Sequence, residues 1–431
     1  MRPRLTELRL TSFKSVKDAT IPLGPLTLIV GRNGSGKSNI LDALNVLAAI
    51  AGGSTLREAL DGNRDDSLVR GGSEGCAPAG ENTFSIGCTA TTDAGEINLD
   101  ITIQVTPTVQ IVSEDLWSDA PKNRGGRRMH WLLSDPADPH SADIAARWEN
   151  RKRGVNAPVS MRADQLLTSQ VSVRVPATTQ AGREVHQRAE LMLAALSSVF
   201  LLDPVPHQMR EYVPERDFTL RRNAENLSAV LGRLAETEEH RDQLLDMTRN
   251  LSEAQVSDLA TVSSPLGDVM ATISERIGGS ERDISARLMS DGTLRFLAVA
   301  AAMLDPEPVG ADAERLLVVE ELENGLHPSQ VALLIDRLKS AASKRPFTTL
   351  ATTHSPAILD SLDGDDHEHI VVVTRDEDGW SRVTRLVDFP DYFEVAGSAP
   401  LGQQAIKDAL RPGDAPPADV AERSLSAIFG R

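Results

Sequence analysis

Cysteine, long apolar runs and net positive charge are all scarce in this chain. Cys76 and Cys88 are the only cysteines in 431 residues, too few for a disulfide framework or a zinc site of their own, which fits a reducing compartment. The longest nearly apolar stretch, Leu294 to Leu304, is interrupted by Arg295 and falls far short of the ~20 residues that span a bilayer. The first ten residues alternate Arg and Glu with apolar side chains and lack the continuous apolar core of a secretory signal. The expectation is a cytoplasmic protein with no membrane partner. With 45 basic and 62 acidic residues the formal charge is −17, which disfavours nonspecific adhesion to nucleic acid but leaves room for a local basic face. The 40% hydrophobic content excludes a disordered or collagen-like chain, and the length suits two or three domains.

The patterning is that of a split α/β core. Leu5 to Leu10 alternates, Ala19 to Leu23 is short and β-rich, and Leu26 to Val30 is a continuous apolar run of the kind buried on both faces. Ile40, Leu41, Leu44, Leu47 and Ile50 then recur at helical spacing, so Leu26 to Ile50 reads as strand, glycine-rich loop and helix. Residues 52–82 read as an irregular loop, and Thr83 to Ala90, Glu96 to Thr106 and Val109 to Leu116 as antiparallel strands of a β-subdomain. Residues 1–120 are thus expected to form the first part of the core. Residues 121–180, rich in Arg (Arg124, Arg127, Arg128, Arg147, Arg151, Arg153), read as a polar insertion with little periodicity, and residues 181–287 as a helical lobe. A second part of the core follows over residues 288–400, where the helix Thr293 to Leu304 and the strands Leu316 to Val319 and Thr348 to Thr353 alternate with helical segments. Residues 401–431 form a tail.

The chemistry lies at the ends of the apolar strands. Gly31-Arg32-Asn33-Gly34-Ser35-Gly36-Lys37-Ser38 fits the phosphate-loop pattern G-x-x-x-x-G-K-[ST] in full, after a buried strand and at the start of a helix. In such a loop the backbone N–H groups from Asn33 to Ser38 converge on an anion, Lys37 reaches the β- and γ-phosphates, and Ser38 ligates Mg²⁺. Leu316 to Val319 ends in Glu320 and Glu321, which would respectively hold the Mg²⁺ shell and polarise an attacking water. Taken alone, this pair is as compatible with a strand that merely ends in solvated acids. Two further motifs decide for the functional reading. Thr352-Thr353-His354-Ser355-Pro356 places an imidazole at another strand end, where it could contact the γ-phosphate, and Ser290-Asp291-Gly292-Thr293 opens a second helix N-terminus. With no obvious phosphate awaiting Ser290 and Gly292 in their own chain, their natural use is in trans, on nucleotide held by the phosphate loop of a second copy.

The order of these motifs, with Glu320-Glu321-Leu322-Glu323-Asn324-Gly325-Leu326-His327-Pro328 between the second and the last, resembles the ABC-type ATPase head of the RecF, SMC and OLD group. More narrowly it is similar to bacterial AAA-like ATPases of antiphage defence systems. The chain departs from the pattern at Glu320, usually Asp, and at Leu322, usually Pro. The resemblance implies a P-loop NTPase fold with a mixed sheet, an antiparallel β-subdomain and a helical lobe. It implies ATP and Mg²⁺ as ligands, Glu321 and His354 as catalytic residues, and a homodimer or larger assembly that sandwiches ATP. The segment after His354 is too short for the TOPRIM nuclease domain of OLD proteins, so a nuclease would be a separate partner. DNA bound by the Arg-rich stretch, as in RecF-like repair ATPases, is one rival expectation, and a slow ATP-binding scaffold another. The family's metal-shell glutamine has two candidates, Gln170 and Gln208, each of which reads better as an ordinary surface glutamine, and Phe13-Lys14-Ser15 resembles a turn whose cation approaches the nucleotide but fits an exposed turn lysine equally well. Asp365, Asp366, His367, Glu368 and His369 look like metal ligands by composition but read better as a solvated loop.

Overall fold

The computed structural model describes residues 2–62, 69–119, 128–138, 141–249, 255–277, 279–305, 313–344, 347–407 and 410. From the N-terminus the chain forms β1 (Arg4–Phe13), β2 (Val16–Pro22) and β3 (Leu26–Val30), then the helix Lys37–Ala51. An antiparallel series follows: β4 (Thr83–Thr92), β5 (Gly95–Gln104), β6 (Gln110–Asp119), β7 (Arg128–Ser134), β8 (Asp143–Trp148) and β9 (Val159–Arg162). The long helix Gln180–Ser197 leads into β10 (Val199–Leu202) and a short β11 (Val213–Pro214). After two helices come β12 (Gln255–Ser263), β13 (Asp268–Ile277) and β14 (Ser280–Ser285), then the helix Asp291–Leu304. The chain then makes β15 (Arg315–Val319), the helix Pro328–Lys344, β16 (Phe347–Thr353), β17 (Ile370–Arg375) and β18 (Ser381–Arg385).

Fourteen of these strands form one mixed sheet in the order β10-β15-β16-β3-β17-β18-β2-β1-β4-β5-β6-β7-β8-β9. From β10 to β17 neighbours are parallel, and every residue of β3, β15 and β16 is buried, as continuous apolar runs in a doubly covered parallel sheet require. From β2 to β9 the pairing is antiparallel throughout. The two halves meet between β18 and β2 through the single paired position Ser381 opposite Val16. The helix Lys37–Ala51 buries Ile40, Leu41, Leu44, Leu47 and Ile50, the stripe expected from its spacing.

Two element types differ from the sequence reading. Residues read as a polar insertion with little periodicity supply β7, β8 and β9, which extend the antiparallel half of the sheet. Their apolar signal is thin because each strand buries few side chains, Ile144 and Ala146 in β8 for example, while Arg147 pairs with both carboxylate oxygens of Asp135. Arg124 and Arg127 lie outside the described residues, as does the tail from residue 411 onward. Within the expected helical lobe, β12 to β14 make a second, antiparallel sheet with β11. There Val269, Met270, Ala271 and Ile273 are buried, a strand signal that the surrounding helical periodicity had masked.

The antiparallel half carries its own titratable lock. Glu114 on β6 is fully buried and accepts hydrogen bonds from the backbone N–H groups of Leu167 (2.7 Å) and Thr168 (2.6 Å) and from the Thr168 hydroxyl (2.6 Å). It thereby caps the helix Leu167–Arg174, which has no side-chain cap of its own. Burial pushes the Glu114 carboxyl up to about 7, against the opposing pull of those three donors. The native chain therefore holds this proton more tightly than the unfolded chain, and the group's contribution to stability is lost as pH rises from about 4.5 to about 7. Glu114→Gln, which cannot ionise, is expected to flatten that slope by about 3 kcal/mol between roughly pH 5 and pH 8, read from urea midpoints. Parallel pH profiles for the two proteins would refute the assignment.

Candidate functional site

Three neighbouring parallel strands, β15, β16 and β3, end side by side, with Val319 opposite Ala351 and Thr353 opposite Val30. The segments that follow these carboxyl ends carry the phosphate loop, Glu320-Glu321 and His354, which sequence separates by up to 323 residues but topology makes adjacent. This is the edge at which parallel α/β sheets bind ligands.

After β3 the backbone turns through Gly34 (φ 78°) and Gly36 (φ 108°), both in the left-handed region. Gly36 is the N-cap of the helix Lys37–Ala51, and no side chain caps that helix. A Cβ at Gly36 would lie 2.2 Å from the Ser381 hydroxyl oxygen, whereas one at Gly34 would meet nothing within 4 Å. The loop is braced from behind and open in front. The Ser381 hydroxyl donates to the Ser35 carbonyl (2.5 Å) and lies 2.7 Å from the Ser15 hydroxyl, and Arg375 Nε donates to the Gly34 carbonyl (2.8 Å). Asn33 and Gly34 are exposed at the mouth, while the Ser35 hydroxyl is buried without a partner. The Lys37 ammonium folds over the loop onto the carbonyls of Gly31 (2.8 Å) and Arg32 (3.1 Å). Burial lowers its pKa, and the carboxylates of Glu321, Glu320 and Glu323 work in the opposite direction.

Glu320 turns towards the loop. Ser38 donates its hydroxyl proton to Glu320 Oε1, and Arg70 Nη2 donates to Glu320 Oε2 (2.9 Å). Ser38 and Glu320 thus present two hard oxygen donors at one point, a set suited to Mg²⁺. Together with an orphaned hydroxyl and an uncapped helix start, they fit a metal-bound polyphosphate. The next residue, Glu321, has φ 51°, unusual for a residue with a Cβ. Its N–H is held by the Thr352 hydroxyl (2.8 Å), and its side chain is exposed and lies 3.5 Å from Asn324 Nδ2. On β16's side, the His354 N–H donates to Glu323 Oε1 (2.6 Å). Partial burial and the nearby Lys37 charge lower the imidazole pKa, so His354 is neutral at physiological pH.

Ser290 and Gly292 stand apart from the phosphate loop: no hydrogen bond joins them to residues 31–38 among the described residues. Ser290 is exposed and caps the helix Asp291–Leu304 by accepting from the Thr293 N–H (3.1 Å). Gly292 is buried, and a Cβ there would lie 2.1 Å from the carbonyl oxygen of Gly325, in the loop after Glu321. Its smallness is demanded by packing within the chain, a reason that sequence reasoning missed. Arg210 orients the same helix tip through the Met289 carbonyl (2.9 Å) and Asp291 (2.6 Å).

Other expectations resolve differently. The Lys14 ammonium pairs with Asp42 (2.5 Å) and donates to the Arg70 carbonyl (3.0 Å). Gln170 holds the backbone of Arg162 on β9, far along the antiparallel half, whereas Gln208 follows β10, the neighbour of β15. Asp366 is engaged with Lys339 and His367 with Tyr392. Arg70 had no sequence signal, and Thr352, though part of the strand-end motif, gave no sign of its bond to Glu321, because each acts on a partner distant in the chain.

Residues 26–360 match the family model described as AAA domain, putative AbiEii toxin, Type IV TA system. The chain is similar to the chromosome partition protein Smc of Mycolicibacterium paratuberculosis, 25% identical over 361 residues that cover 74% of this chain and 28% of that protein. It is also similar to the OLD nuclease of Thermus scotoductus, 46% identical over 43 residues, 10% of this chain and 8% of that protein. The chain therefore corresponds to little more than a quarter of the first relative's length and less than a tenth of the second's. Among solved structures it is similar to an Smc head bound to the C-winged helix domain of ScpA, with TM-score 0.48, 16% identity, and 88% and 97% of the two chains covered. A further likeness is to the SMC head domain from Thermotoga maritima, with TM-score 0.42, 16% identity, and 89% and 98% covered.

The two glycines separate packing from strain. Gly292→Ala, whose methyl meets backbone, is expected to cost about 1–3 kcal/mol of stability. Gly34→Ala, which meets only open space at a positive φ, is expected to cost about 1 kcal/mol. Urea unfolding of both variants checks the order, and a Gly292 variant as stable as the parent would contradict the contact with Gly325.

Proposed function

The chain belongs to the family described as AAA domain, putative AbiEii toxin, Type IV TA system, within the ABC-type ATPases of the RecF, SMC and OLD group, and on that premise we propose that it is a Mg-ATP-dependent switch. Two copies close on ATP, and hydrolysis releases them. The observation that carries this reading is the convergence of Lys37, Ser38, Glu320, Glu321 and His354 on one uncapped helix start at the carboxyl ends of β3, β15 and β16.

In the proposed reaction the N–H groups of residues 33–38 cradle the phosphates and Lys37 leaves the Gly31 and Arg32 carbonyls for the β- and γ-phosphate oxygens. Ser38 and Glu320 would hold Mg²⁺, which would supply charge neutralisation on the phosphate oxygens. Glu321, aimed by its left-handed turn, accepts a hydrogen bond from the attacking water, and the neutral His354 imidazole donates to the γ-phosphate. From the other copy, the helix tip at Ser290 and Gly292 closes the far side of the nucleotide, its exposed hydroxyl and helix dipole facing the anion.

The motion is read, in this proposal, by a separate effector, a TOPRIM-like nuclease in an antiphage defence setting. Direct DNA binding by the Arg-rich stretch is the weaker reading, because three of its described arginines are engaged within the chain: Arg128 stacks on Trp117 at 3.9 Å, Arg147 pairs with Asp135 and Arg151 with Glu184. Such pairs leave little charge for phosphate contacts.

Lys37→Ala is expected to lose ATP binding in equilibrium titrations, since it removes the cation on the phosphates. Glu321→Gln is expected to retain ATP, slow turnover by about 100-fold or more, and accumulate an ATP-dependent dimer in sedimentation velocity. Normal hydrolysis by the Gln variant would move the water-polarising role elsewhere, and a monomer at saturating ATP would end the dimer switch.

A further inference from the structure

Glu320, Glu321 and Glu323 all follow β15, and the proposed reaction gives a part to the first two only. The third reaches across to the neighbouring strand. Thr353 is the last residue of β16 paired with β3, and Ser355 caps the short helix Pro356–Asp360, so His354 lies in the gap between strand and helix. Its N–H donates to Glu323 Oε1 at 2.6 Å, a charge-assisted bond from outside the sheet ladder. On its other side the Ser355 N–H donates to the Thr353 hydroxyl (3.0 Å). Glu323 comes from a loop that is itself fastened to β16. The Glu321 N–H donates to the Thr352 hydroxyl (2.8 Å), the Leu322 N–H to the Thr352 carbonyl (3.1 Å), and the Leu322 side chain is buried. Glu323 Oε2 is buried without a hydrogen-bond partner, which a solvated surface glutamate would not show. Burial lowers the pKa of both Lys37 and His354, and the Glu323 charge works against that fall at each, so its carboxylate is within electrostatic reach of both groups.

We propose that Glu323 is a positioning residue for His354, a carboxylate that fixes the backbone from which the imidazole reaches the γ-phosphate. The inference rests on the reading of His354 as a donor to that phosphate. The brace is reciprocal. Thr352 on β16 holds Glu321 after β15, and Glu323 after β15 holds His354 after β16, so the group that polarises water and the group that meets phosphate keep their spacing. What Glu323 supplies is an acceptor oxygen at a set distance along a side chain of set length. Its action passes wholly through His354, and removing it lets the imidazole drift from the geometry that the reaction needs.

The experiment is a double-mutant cycle on the full chain over Glu323→Ala, His354→Ala and the pair, read as steady-state ATP hydrolysis with Mg²⁺. The dissociation constant of a fluorescent non-hydrolysable ATP analogue is measured on each protein. Glu323→Ala is expected to lower kcat about 10- to 100-fold and to leave that dissociation constant within about twofold of the parent. In the His354→Ala background the same substitution is expected to cost less than about twofold, since the residue it positions has gone. Glu323→Gln, whose amide oxygen can accept the same N–H, is expected to stay within about threefold of the parent. Glu323→Asp, one methylene short of that N–H, is expected to fall with Ala, and it takes the place of Ala in the cycle should the Ala variant not fold. Losses that multiply across the cycle, or a Gln variant as slow as Ala, overturn the proposal and leave the nucleotide site intact. Full turnover by His354→Ala, or none by the parent, overturns the reaction proposed above, and this inference with it.

Discussion

An α-helix that begins without a capping side chain is the constraint on which the rest of the site depends. The Lys37–Ala51 helix starts on Gly36, and its free N–H groups and dipole face the mouth of the loop. Such an end is stable only if something holds the preceding turn in place without filling it. Ser381, Ser15 and Arg375 do this from behind through the carbonyls of Ser35 and Gly34 and the close approach to Gly36. Ser381 is also the position at which the parallel and antiparallel halves of the sheet are paired, so the phosphate loop is pinned at the seam of the molecule.

The parts of this arrangement that could be read from sequence are those with a strong local signature. β3, β15 and β16 are short β-rich segments with few charges, buried throughout, and each is followed at once by chemistry-bearing residues, so both strand and site stood out. β7 to β9 and β12 to β14 escaped because polar and charged residues interrupt their few buried positions, leaving no continuous apolar run. Lys14 shows the limit of reading a turn lysine by charge alone: Asp42, one turn along the neighbouring helix, pairs with its ammonium, a contact the sequence does not display.

Contacts between residues far apart in the chain were invisible for a simpler reason. Arg70 and Glu320 are 250 residues apart, and Thr352 acts on Glu321 from the neighbouring strand. The glutamate at position 320 gains meaning from the first of these pairs. Aspartate would be one methylene shorter, and the longer side chain lets a single carboxylate span the hydroxyl of Ser38 on one side and the guanidinium of Arg70 on the other.

Two consecutive carboxylates at a strand end would ordinarily point to opposite faces of the sheet. Here β15 stops at Val319, and the left-handed turn at Glu321 breaks that alternation at a strain cost of about 1–2 kcal/mol, offset by the bond from its N–H to the Thr352 hydroxyl. The same turn fixes where the following loop travels. Asn324 bonds back to the Glu321 carbonyl (2.9 Å), and the Gly325 carbonyl then lies where a Cβ at Gly292 would come within 2.1 Å of it, so this contact requires glycine at 292. The helix tip carrying Ser290 thus rests on the loop that positions Glu321. A shift of residues 321–325 must either carry that tip along or open the glycine contact, so the two functional surfaces of one chain are continuous through a single backbone path.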